Sequence, residues 1–103
     1  MIALREGKKR DIRALVTRVD GGSGTWALTS PLFRILDANR ALVSGYDWAA
    51  ATWDSTTSQI YALFDSTVAA LAAPGLYYVQ LMGTIGAETY DCEVEVWVVE
   101  SGP

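Results

Sequence analysis

The segment TYDCEVEVWVV, residues 89–99, alternates from end to end. Tyr90, Cys92, Val94, Val96 and Val98 fall on one side at a period of two, and Asp91, Glu93, Glu95 and Trp97 fall on the other. A helix would wind those carboxylates through every direction. An extended chain sends them all one way, into water, and turns the valines toward an apolar layer. The segment is therefore expected to be a half-buried antiparallel strand. Such a strand commits the rest of the chain to supplying strand neighbours and a second layer over the valines.

The remaining sequence offers both. Leu76 to Thr84 reads as the preceding strand, joined to the last by a hairpin turn at IGAE, residues 85–88. SQIYALFD (58–65) reads as another, and STVAALAAPG (66–75) has the near-helical spacing of one helical turn ended by Pro74-Gly75. DIRALVTRVD (11–20) alternates up to the turn residues GGSG, and LFRILD (32–37) ends at DANR. ALVSGYDWAAATWD (41–54) carries one or two strands, and IALRE (2–6) opens the chain with one more. About seven strands with turn signals roughly every ten residues predict an all-β, two-sheet sandwich. With 103 residues the chain suits a single domain spanning 1–103.

Half of the residues are apolar and 19% are charged, the balance of a chain that folds. A net charge of −4 argues against nucleic acid as partner, because phosphate binding relies on clustered Lys and Arg. The total conceals an asymmetry. Six of the eight basic residues, among them Lys8, Lys9, Arg10 and Arg13, lie within 1–18, and ten of the twelve acidic residues lie within 19–103. Two readings stand: a solvated basic strand, or a charge-complementary contact with neighbouring copies or an acidic partner.

The lone cysteine, Cys92, forms no internal disulfide, so packing alone must hold the sheets, which fits a reducing compartment. With no histidine, a structural zinc site is not expected. The opening MIALREGKKR lacks the apolar stretch of a signal peptide. Residues 66–87 carry no charge and are numerous enough to span a bilayer, but Pro74-Gly75, Gln80 and the Gly and Thr residues interrupt them. A turn between a helical piece and a strand accounts for them better, and no membrane partner is expected.

LAAPGLYYVQL, residues 71–81, sets two tyrosines directly after a tight turn. In immunoglobulin-like sandwiches a tyrosine near the start of a late strand sends its hydroxyl back to the backbone a few residues upstream, clamping the corner between sheets. The layout L-x-x-P-G-x-Y fits that role: Leu71 plugs the sandwich end, Pro74-Gly75 turns the chain, and Tyr77 buries its ring while its hydroxyl finds a partner. Tyr78 then faces the opposite way.

With those strands placed, the chain resembles the small immunoglobulin-like modules of tailed-phage virion proteins, in the manner of the N-terminal domain of baseplate upper proteins and related tail or neck accessory proteins. MIALREG looks like their M-I-x-L-x-x-G start, and DGGSGTWALTS (20–30) like their D-x-x-G…D-L-T-G turn and strand. LAAPGLYYVQL resembles their L-x-P-G-x-Y corner, and TYDCEVEVWVV their final strand. The chain departs from the pattern at Lys8-Lys9, where an Asp-Thr pair is usual, and at Ala27, where Asp precedes Leu28-Thr29. The resemblance implies a non-enzymatic virion component, made in the host cytoplasm, that works by assembly with other virion proteins and copies of itself.

Candidate chemistry in the residues is sparse. Nucleophilic catalysis needs a base beside the nucleophile, and without histidine that base falls to a carboxylate or a lysine. Glu93 and Glu95 share a face at i, i+2, whereas paired glycosidase carboxyls face each other across a cleft, so these two read as a solubilising face and no enzyme activity or cofactor is expected. Asp37, Asn39, Asp47 and Asp54 put oxygen atoms in loops that suit calcium on paper, but turn formation explains them more simply. Trp97 is the informative aromatic. Its parity places it outward beside Glu93 and Glu95 with Val99 next on the same face, which points to a subunit contact whose register the Lys8, Lys9, Arg10 and Arg13 strand would help to set. The alternative is a carbohydrate- or receptor-binding module using Trp26, Trp48 or Trp53 as an exposed platform.

Overall fold

The computed structural model describes residues 2–16, 28–85 and 88–100. Within them lie eight strands: β1 (Ile2–Arg5), β2 (Lys9–Leu15), β3 (Leu28–Leu36), β4 (Ala49–Ala50), β5 (Thr52–Asp54), β6 (Gln59–Asp65), β7 (Gly75–Ile85) and β8 (Glu88–Val99). A single 3-10 turn, Ala69–Leu71, separates β6 from β7. The strands form a five-stranded sheet, β1-β8-β7-β3-β4, and a three-stranded sheet, β2-β6-β5. The molecule is an all-β sandwich.

Two of the four changes of sheet are short links, one on each flank. Between β1 and β2 it turns at Gly7, whose φ of +78 suits a residue without Cβ. Between β4 and β5 it crosses at Ala51, whose N–H donates to Pro31 O at 2.9 Å. Because β1 and β4 are the edges of one sheet and β2 and β5 the edges of the other, each flank is tied by a covalent crossing. β1 runs parallel to β8, pairing Ile2 with Val96 and Arg5 with Val99, a partnership that hydropathy alone did not announce.

Inward residues meet between the sheets. Ile12, Ile60, Ala62 and Phe64 from the smaller sheet pack against Phe33, Ile35, Tyr77, Val79, Leu81, Val96 and Val98 from the larger. At one end Leu71 is fully buried as a plug, and the Tyr77 hydroxyl donates to Ala73 O at 2.8 Å, four residues upstream. Gly75, with φ +142, makes the turn between them in a backbone conformation that side chains rarely adopt. The Tyr77 ring meets Phe64 edge-on, centroids 5.4 Å apart.

The other end differs from expectation. Tyr90 and Cys92 share the parity of Val94, Val96 and Val98, yet Tyr90 is 52% exposed and Cys92 is exposed as well. β7 and β8 run for 11 and 12 residues, while β2 and β6 run for 7 each, so among the described residues the long hairpin outruns the strands opposite. What remains there is an apolar cleft of about 320 Å³ lined by Leu15, Leu28, Leu81, Ile85, Tyr90 and Cys92, among others.

Candidate functional site

The outer face of the larger sheet carries the most organised side-chain array among the described residues. Strand pairing sets Arg34 on β3 beside Gln80 on β7, and Gln80 beside Glu93 on β8. The Arg34 guanidinium donates through Nε to Gln80 Oε1 at 2.8 Å, and Gln80 Nε2 donates to Glu93 Oε1 at 3.1 Å. From the loop after β3, Arg40 closes on Glu93 as a fork, Nη1 to Oε1 at 2.8 Å and Nη2 to Oε2 at 3.0 Å. Each guanidinium also lies over an aromatic ring: Arg34 over Trp48, 4.5 Å from the centroid, and Arg40 over Tyr78, 4.1 Å away. The run Trp48, Arg34, Gln80, Glu93, Arg40, Tyr78 is thus continuous.

Local backbone serves this array. Asp37 Oδ1 accepts from the N–H groups of Asn39 and Ala41, closing the loop that presents Arg40. Arg40 and Trp48 both hold positive φ, 61 and 51, a region that disfavours residues with a Cβ. Two of the four such non-glycine residues among the described residues therefore lie in one network. The Glu93 carboxyl is held below its ordinary range, first by the hydrogen bonds from Arg40 and then by Gln80, and the Arg40 guanidinium is correspondingly raised. With both oxygens engaged and ionised, Glu93 is a poor proton carrier near neutrality.

Beside it lies an apolar strip. Trp97 pairs with Leu76 on β7 and with Ala3 on β1, and Val99 pairs with Arg5. Trp97 is 40% exposed and Val99 47%. Glu95, opposite Tyr78, separates this strip from Glu93.

The structure does not bring the basic residues together with this acidic strand. Lys8 lies in the turn after β1; Lys9 and Arg13 point outward on the smaller sheet, where Lys9 Nζ lies 3.9 Å from Asp65 and Arg13 Nη2 3.3 Å from Asp11. Arg13 also stacks over Tyr61, 4.2 Å from its centroid. Arg10 has the parity of Phe64 and reaches to the edge of β1, donating to Ala3 O at 3.4 Å. Each of the four thus has its own surroundings within the chain.

Trp48 lies in the bend just before β4, at positive φ, and Trp53 lies on β5, so the two do not share one continuous strand. Trp53 packs against the core, while one face of Trp48 is covered by Arg34. Trp26 lies outside the described residues. Asp37 and Asp54 accept backbone N–H groups in their own turns, and among the described residues no group of three or more His, Cys, Asp or Glu is placed to hold a metal ion. No helix of the described residues is long and apolar enough to cross a membrane.

Sequence reasoning missed Arg34, Arg40, Gln80 and Tyr78. One signal was there: Arg34 and Arg40 are the only basic residues after Arg18. Compared with models of known protein families and with curated proteins, the sequence matches none.

Proposed function

We propose that the chain is a non-enzymatic structural component of a tailed-phage virion, a tail, neck or baseplate accessory module that works by packing against other virion proteins and copies of itself. The class comes from the resemblance of four segments spread from residue 1 to residue 99. The mode of action rests on one observation: Trp97 and Val99 lie exposed on a sheet face that also carries a continuous hydrogen-bonded array. Exposed aromatic and aliphatic side chains on such a surface supply anchors for a protein partner, and the hydrogen-bonded array on the same face limits the ordering entropy that docking costs.

The test is co-expression with the proteins encoded by the flanking reading frames, followed by co-purification. Portal, tail-tube, baseplate or capsid proteins that come down with the chain, and are lost with Trp97→Ser, support the reading. Flanking frames without virion genes, together with no retained partner, overturn it. Binding on a glycan array that Trp48→Ala abolishes would favour the carbohydrate-binding alternative instead.

A further inference from the structure

On the outer face of the larger sheet, the uncommitted charges that flank Trp97 are of opposite sign. Arg34 and Arg40 are engaged with Gln80 and Glu93. Arg5 and Glu95 are exposed and make no ion pair among the described residues. Trp97 lies between them: outward residues along β8 run Glu95, Trp97, Val99, and Arg5 stands beside Val99 on β1.

That spacing has a symmetry. At a rise of about 3.4 Å per residue, Glu95 and Val99 sit roughly 7 Å on either side of Trp97. A two-fold axis lying in the plane of a face-to-face contact, perpendicular to β8 at Trp97, reverses the strand direction of a second copy. It sets that copy's Glu95 over Val99, one strand spacing of about 5 Å from Arg5, and the same operation returns the contact on the other side. Stacked sheets lie about 10 Å apart, a gap that arginine and glutamate side chains extending from opposite sides can bridge. Trp97, Leu76 and Ala3 each meet their own counterpart across the axis.

We propose that this strip is a dimerisation face whose occupant is a second copy of the chain, anchored by Trp97 on its equivalent and fixed in register by two reciprocal Arg5–Glu95 pairs. The proposal rests on the assembly reading and narrows it to a closed, two-fold contact. It also replaces Lys9, Arg13 and Glu93 as register-setting charges, since each of these already has a partner within its own chain. A head-to-tail stack of acidic on basic face finds no free charge at those positions.

Sedimentation velocity over a range of concentrations tests it, with circular dichroism to show that each variant is folded. The wild type is expected to dimerise, less tightly as salt is raised. Arg5→Glu, Glu95→Arg and Trp97→Ser should each weaken the dimer by about tenfold or more, the first two by setting like charges together. An equimolar mixture of the Arg5→Glu and Glu95→Arg proteins should regain a mixed dimer, because both contacts then join opposite charges. A dimer unchanged in all three variants overturns this face and leaves the assembly reading standing, as does a monomeric chain that still co-purifies with a virion protein. A chain that does neither removes both.

Discussion

The two ends of the sandwich are built from the same alternating strands and reach opposite outcomes. At the corner end, the buried Ser66 is fully engaged: its hydroxyl donates to Leu71 O at 3.0 Å and accepts from Gly7 N at 3.3 Å, and its N–H donates to Lys8 O at 2.9 Å. Ser66 thereby ties the link between the sheets to the plug at Leu71. At the hairpin end, β7 and β8 extend, among the described residues, past the strands opposite, and Tyr90 and Cys92 line a cleft where their parity promised a core. Alternation states which side of a strand is apolar. Whether that side is covered depends on the length of the strands opposite, and stability should therefore concentrate at the corner.

The largest expected contrast is between two leucines. Leu71→Ala removes a fully buried side chain and should cost about 3 kcal/mol, lowering the melting midpoint by roughly 15 °C in a domain of this size. Leu15→Ala, at a residue 67% exposed beside the cleft, should stay within about 0.5 kcal/mol of the wild type. Equal losses in calorimetry would break the distinction between the ends. Next comes Ser66→Ala, which leaves Leu71 O and Gly7 N without their side-chain partner; a loss of about 2 kcal/mol is expected in urea denaturation, with an unchanged m-value.

Tyr77→Phe should cost about 1 kcal/mol near neutral pH by removing the bond to Ala73 O. The tyrosine also carries a pH signature. Burial first, and the charge of Asp37 second, raise its pKa above the ordinary value. A raised folded-state pKa means that the stabilisation is complete below the unfolded value of about 10 and is lost as pH rises through the folded one. The gap between wild type and Tyr77→Phe should accordingly narrow above pH 10. A constant gap would mean that the hydroxyl does not titrate in the buried setting seen here.

Much of this was legible in the residues, for definable reasons. The corner could be read because Leu71, Pro74, Gly75 and Tyr77 are neighbours in the chain, so a local motif specifies their geometry. Two sheets and the inward valines followed from parity. The parallel β1–β8 pairing could not be read, because Ile2 and Val96 are brought together only by closure of the whole sandwich. The Arg34–Gln80–Glu93–Arg40 array was hidden for the same reason: its members come from β3, its following loop, β7 and β8, and only the cross-strand register aligns them. The surroundings of the basic residues were hidden as well: Lys9 has Asp65 beside it from the neighbouring strand, and Arg13 has Asp11, so charge counted along the chain does not give the local pairing.

The smallest effect separates the ends most finely. Cys92 borders the cleft and is exposed, yet partial burial of its thiol, and after that the charge of Asp91, push its pKa up. The thiolate is the reactive form, so iodoacetamide should modify Cys92 more slowly than a free cysteine at pH 8, and the rate should climb steeply as pH rises. Cys92→Ser should change stability by less than about 0.5 kcal/mol, because the residue is exposed and a serine hydroxyl can keep the hydrogen bond that the sulfur makes with the Leu81 backbone. A cysteine sealed inside a packed core would behave differently on both counts, resisting alkylation at every pH at which the chain is folded and costing far more on replacement. Rapid modification at pH 10 together with an unaltered melting midpoint would locate the edge of the core between Cys92 and Val94, one step along the same face of the same strand.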